Sequence, residues 1–78
     1  MREEIIIYIN EVASEKGVEV NNTTDLYEYG ILDSMEIILF LTYLDEKLNI
    51  KFDFSDMDAE NFRTIDTILN WVKNNVCN

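Results

Sequence analysis

Asp33-Ser34-Met35-Glu36 is the stretch of this 78-residue chain where residue types and spacing point to chemistry. It stands where a polar connection gives way to a helix-patterned run, Ile37-Ile38-Leu39-Phe40-Leu41-Thr42-Tyr43-Leu44. Asp33 is a good N-cap, because a carboxylate accepts from the free amides of a first helical turn. Glu36, three residues on, completes the spacing of a capping box. Gly30, just upstream, tolerates a positive φ. Ser34 therefore falls at the positive end of a helix dipole, beside unbonded backbone N–H groups, a setting that suits an anion such as a phosphate ester. The same residues also read as plain capping, and the Asp-Ser pair alone does not separate the two.

What the chain lacks removes other chemistries. There is no histidine, so the usual base near neutrality, the commonest metal ligand and any Ser-His-Asp arrangement are missing. Cys77 is the only cysteine; it cannot form an internal disulfide and belongs to no metal cluster. Asp53, Asp56, Asp58 and Glu60 are acidic enough for calcium but lack the glycine and spacing of an EF-hand. The remaining acids are scattered over solvated faces, which argues against an enzyme working through paired carboxylates.

Six basic residues against sixteen acidic ones give a net charge of −10. That excludes nucleic acid as a partner and disfavours anionic membranes. It suits partners with basic docking patches, and solubility alone accounts for it equally well. Hydrophobic residues make up 47%, there is no proline and there are two glycines, the balance of a helical globular chain rather than a disordered one. No apolar run reaches the length of a membrane span. Met1-Arg2-Glu3-Glu4 is too acidic for a secretion signal. The expectation is a cytoplasmic, monomeric protein, with residues 1–78 forming one domain around one modest core.

The elements that must position Ser34 follow from periodicity. Arg2 to Lys16 reads as a first helix with Ile5, Ile9, Val12 and Ala13 inward and Ile6 widening the stripe. The β-branched run Ile5-Ile6-Ile7-Tyr8-Ile9 is also compatible with a strand, but Glu11, Glu15 and Lys16 keep the helical period and Gly17 is a plausible stop. Val18 to Leu32 is a long connection. Its Asn21-Asn22-Thr23-Thr24-Asp25 segment is rich in turn formers, and Val18, Val20, Leu26 and Ile31 tack it to the core. Loops of this length in small domains are often functional.

A second helix is predicted from Ser34 to Leu48. Ile37, Leu41, Leu44 and Leu48 form its core stripe, broadened by Ile38 and Phe40. Glu36, Leu39, Thr42, Tyr43, Asp45 and Glu46 lie on the other side. Leu39 among acids reads either as the edge of a wide apolar arc or as the centre of a docking patch. Asn49 to Phe54 reads as an extended connector carrying Ile50, Phe52 and Phe54 into the core. Ser55 caps a short third helix over residues 56–62. Thr64 caps a last helix from Ile65 to about Val76, with Ile65, Leu69, Val72, Val76 and Ile68 inward. Phe62, Trp71 and the tyrosines read as core packing. The sum is an all-α fold of three main helices and one short one, with a long first loop.

Asp25-Leu26, Gly30 and Leu32-Asp33-Ser34-Met35 together resemble the attachment motif of acyl and peptidyl carrier proteins, and the resemblance extends over most of the chain. In that family the motif serine carries a 4'-phosphopantetheine arm as a phosphodiester, on a four-helix carrier bundle. The resemblance implies that Ser34 is the attachment residue and Asp33 its acidic neighbour, with Met35 where leucine is more usual. It also implies that the second helix recognises partners, a part that falls to Asp33, Met35, Glu36, Leu39, Thr42, Asp45 and Glu46. The implied protein is no enzyme. A phosphopantetheinyl transferase would install the arm from coenzyme A, an acyl- or aminoacyl-activating ligase would load it as a thioester, and a downstream acyltransferase or synthase would accept the cargo.

Asp33-Ser34-Met35 and the segment Asp58-Ala59-Glu60-Asn61-Phe62-Arg63-Thr64 resemble most the D-alanyl carriers of teichoic acid D-alanylation. Met35 followed by Glu36 mixes that pattern with the Asp-Ser-Leu-acid run of fatty-acid carriers. A carrier of a fatty-acid, polyketide or nonribosomal-peptide pathway is the alternative. An acidic helical interaction module without a prosthetic group is the alternative of another class.

Overall fold

Three α-helices and one 3-10 turn, with no strand among the described residues, make up the computed structural model, which describes residues 2–51 and 58–76. Helix α1 spans Arg2–Glu15 and buries Ile5, Ile9 and Ala13, with Ile6 and Val12 packed partly against the core. The apolar spacing prevails over the β-branched composition because burial of one helical stripe outweighs propensity. Gly17 adopts φ +74°. Its N–H donates to the Ser14 carbonyl (3.0 Å) and the Val18 N–H to that of Ala13 (2.9 Å), a Schellman stop at the glycine the sequence indicates, with the last helical residue Glu15 rather than Lys16.

Helix α2 spans Ser34–Leu48 and buries Ile37, Phe40, Leu41 and Leu44. It ends at Asn49 in the left-handed region (φ 56°), and the following Ile50 is buried as expected. The connector aromatics Phe52 and Phe54, the cap Ser55, the acids Asp53 and Asp56, and Cys77 lie outside the described residues. The short third helix is a 3-10 turn over Ala59–Phe62, and Asp58 caps it by accepting from the Glu60 N–H (3.0 Å). Helix α3 spans Ile65–Val76. Thr64 caps it reciprocally with Thr67: the Thr67 N–H donates to Thr64 Oγ1 (3.1 Å) and the Thr64 N–H to Thr67 Oγ1 (3.0 Å). Ile65, Ile68, Trp71 and Val72 are buried and Leu69 is packed at the edge; the Val76 side chain lies outside the description.

Two inward assignments are corrected. Ile38 is 50% exposed and Tyr29 is 54% exposed. The apolar arc of α2 is wider than the surface its neighbours offer, and Tyr29 sits on a turn whose buried member is Leu26. Tyr43, placed outward by period, is instead half-buried, its ring 4.6 Å from that of Tyr8. No charged or polar residue is buried among those described.

Candidate functional site

The loop ahead of α2 is built as a single capped turn. Asp25 Oδ1 accepts from the N–H groups of Tyr27 and Glu28 (3.0 Å each), as a helix N-cap would. Five residues on, Gly30 takes φ +68°. The Gly30 N–H donates to the Tyr27 carbonyl (3.1 Å) and the Ile31 N–H to the Leu26 carbonyl (2.9 Å), again a Schellman pattern. Leu26, Ile31 and Leu32 are buried, so both ends of the turn are anchored in the core. The chain leaves it directly into Asp33. Nothing lies within 4 Å of a Cβ placed on Gly30. Gly30→Ala is therefore expected to cost only the left-handed backbone penalty, about 1–2 kcal/mol, read as a fall in the urea midpoint.

Asp33 caps α2 as predicted, its side chain accepting the Glu36 N–H at 2.8 Å. The Glu36 side chain does not return the bond. Instead Glu36 is half-buried, and it stands near Tyr8: burial chiefly, and then the Glu36 charge, raise the Tyr8 phenol above its ordinary value. Ser34 is the first residue of the helix and is exposed. Its hydroxyl makes no hydrogen bond among the described residues. The N–H groups of Ser34 and Met35 have no intrahelical acceptor, as for any first turn.

Beyond Ser34, α2 shows an apolar strip. Met35 is 64%, Ile38 50% and Leu39 48% exposed, at i, i+3 and i+4 on one face. Thr42 and Glu46 continue that face and are exposed. The Thr42 hydroxyl donates to the Ile38 carbonyl (2.9 Å). Asp45 is exposed but is paired with Lys51. Of the residues expected to dock partners, Asp33 caps α2 and the others lie on it; Ile38 is exposed among them, while Glu36 is half-buried near Tyr8 of α1.

Arg63 was not singled out by sequence, and it ties the loop down. Its Nη1 meets Asp25 Oδ2 at 2.9 Å, and its Nε and Nη2 grip Glu60 Oε2 and Oε1 at 3.0 and 2.7 Å. The guanidinium lies 5.6 Å from the Tyr27 ring centre, and the Tyr27 hydroxyl donates to the Ala59 carbonyl (2.6 Å). The Asp25 carboxyl is held below its ordinary 3.8, first by the Glu28 N–H and then by Arg63, with burial opposing. Glu60 is held below 4.5 by the hydrogen bond and charge of Arg63. Carboxyls depressed in the fold stabilise it above their unfolded values, and that contribution disappears as pH falls through the folded ones. The stability gap between the wild type and Arg63→Gln should accordingly be widest near pH 6 and close toward pH 3, in urea unfolding at both pH values.

A phosphodiester arm fits these residues. The serine hydroxyl is exposed and unengaged, the unbonded N–H groups and the helix dipole favour negative charge there, and the cap leaves Ser34 itself free. Among the described residues no helix is long and apolar enough to cross a membrane. Residues 3–72 match the family described as Phosphopantetheine attachment site. The chain is also similar to the D-alanyl carrier proteins of Bacillus cereus (strains B4264 and AH187) and of Bacillus anthracis (strain CDC 684 / NRRL 3495). Each is 29% identical over 68 residues, covering 87% of this chain and 86% of the relative. The free serine at a capped helix start and a family match over nearly the whole chain lead to one conclusion: this chain belongs to the phosphopantetheine-attachment family, a carrier that takes covalent 4'-phosphopantetheine and is not an enzyme.

Proposed function

We propose that Ser34 is the residue that carries the arm and that the cargo is D-alanine, destined for D-alanylation of teichoic acid. The observation that supports the attachment residue is the exposed, unengaged Ser34 hydroxyl at the N-terminus of α2. The cargo reading is supported by the D-alanyl carrier relatives, together with Asp33-Ser34-Met35 and the Asp58–Thr64 segment. In the modification, the Ser34 hydroxyl gives up its proton to the transferase and its Oγ–P bond forms. The pyrophosphate bond of coenzyme A breaks and 3',5'-ADP leaves. Once attached, the arm supplies a terminal thiol that holds the cargo as a reactive thioester.

This chain's own residues do the rest. Asp33 sets the helix start. Met35, Ile38 and Leu39 offer an apolar docking strip, and the exposed Thr42 and Glu46 continue it with acceptors that suit a basic partner rim, while Glu36 and Asp45, engaged toward Tyr8 and Lys51, lie at its edge. Tethering keeps the cargo at high effective concentration at each docked enzyme, first the activating ligase and then the acceptor. The test is intact mass after incubation with a phosphopantetheinyl transferase and coenzyme A, followed by loading trials with D-alanine and with a fatty acid, each with its activating ligase. Loading by D-alanine alone upholds the cargo reading. Loading by the fatty acid alone replaces it with the acyl-carrier alternative.

A further inference from the structure

We infer that Arg63 is a positioning residue for the modification of Ser34, an inference that rests on Ser34 being the attachment residue. Arg63 is 29 positions further along the chain and is held in a different element, yet a continuous chain of bonds links it to the serine. Asp25 divides its two oxygens: Oδ1 caps the Tyr27 and Glu28 N–H groups, and Oδ2 receives the Arg63 guanidinium. The Arg63 carbonyl accepts the Leu26 N–H at 2.7 Å, and the Leu26 carbonyl in turn accepts the Ile31 and Leu32 N–H groups at 2.9 and 3.2 Å. Leu32 is followed by the cap Asp33 and then by Ser34. Backbone and side chain of one residue thus grip both the start of the turn and the strand of chain that aims the serine.

The grip has a defined direction. Glu60 holds the guanidinium edge through two bonds, the Tyr27 ring lies against it, and Nη1 donates to Asp25. A planar fork of this kind cannot be reproduced by an ammonium group. Arg63 thereby acts through the loop and touches neither Ser34 nor the docking strip, so its loss should slow transfer rather than weaken docking.

The test is steady-state kinetics of a phosphopantetheinyl transferase on the apo protein with coenzyme A. Arg63→Gln removes the guanidinium side of the latch and leaves the backbone bond to Leu26. Asp25→Asn breaks the ion pair while keeping an acceptor oxygen for Tyr27 and Glu28. Ile68→Val trims the α3 core without touching the latch and serves as the stability control. Both latch variants should lower kcat about tenfold, inside the range that a small misplacement of a reacting group produces, with KM for the carrier within about twofold. Arg63→Lys should recover part of the loss, the double variant should be no slower than the worse single one, and Ile68→Val should keep the wild-type kcat.

Wild-type kcat in both Arg63→Gln and Asp25→Asn overturns the inference and leaves the Ser34 reading standing, as does an equal loss in Ile68→Val. If the wild type is not converted while a known carrier in the same tube is, the Ser34 reading falls and takes this one with it. Should Arg63→Gln fail to fold, Asp25→Asn and Arg63→Lys carry the same comparison.

Discussion

Ser34→Ala is expected to gain no mass under conditions that convert the wild type fully, while its thermal and urea unfolding stay close to wild type. The first half follows from chemistry: without the hydroxyl there is no oxygen to bond phosphorus. The threonine hydroxyls of the described residues are engaged elsewhere, and Ser14, though exposed, lies inside α1 and not at a helix start. Thr64 and Thr67 are engaged with one another at the α3 cap, Thr23 and Thr24 with Asn21, and Thr42 with the carbonyl of Ile38. The second half follows from the local structure. Ser34 is exposed, makes no side-chain bond and occupies the first helical position, where alanine is a favourable residue. A change within about 0.5 kcal/mol, the usual scale for a surface substitution, is the expected cost. This pairing makes the result decisive. A variant that folds normally but stays unmodified identifies Ser34 as the attachment residue, whereas a mass gain on the alanine variant would move the arm to another hydroxyl.

The parts of this molecule that sequence reveals are those governed by near neighbours. The starts of α2 and α3 are set by Asp33 and Thr64, each acting within three residues, and Gly17 and Gly30 mark stops through their own backbone angles. Inward stripes are legible wherever a helix has a neighbour to cover it, as for Ile5, Ile9 and Ala13. Ile38 and Tyr29 break the pattern because periodicity records where apolar side chains point, not whether anything packs there. The salt bridge between Arg63 and Asp25 crosses 38 residues and leaves no local signature. The serine is marked by the spacing of a family motif; local physics places it beside an anion-friendly helix end and does not separate an attachment site from a plain cap.

Phe62→Ala should bring the domain close to unfolding and, through that, loosen the site. Phe62 is fully buried and is the central ring of a series running through the core. Its centroid is 4.8 Å from Trp71 and 6.5 Å from Phe40, both in edge-on geometry; Phe40 then meets Tyr8 at 5.3 Å. Edge-on pairs add to the gain from burial, so truncating the middle ring loses contacts on both sides and opens a cavity. The expected cost is about 3–5 kcal/mol. A chain of this length has roughly 4–12 kcal/mol in total, so little remains, and the urea midpoint should drop by at least about 2 M at a slope near 1–1.5 kcal/mol/M. Phe62 also ends the 3-10 turn immediately before Arg63, and no other fully buried residue is described in that turn. Its ring therefore anchors the segment from which Arg63 reaches Asp25. Hydrogen exchange at Leu26, Ile31 and Leu32 should accelerate in this variant along with the core amides. A loss below about 1.5 kcal/mol, the cost of a well-tolerated core swap, would instead mean that Phe40 and Trp71 close over the gap and that the 3-10 turn is held by its hydrogen bonds to the loop.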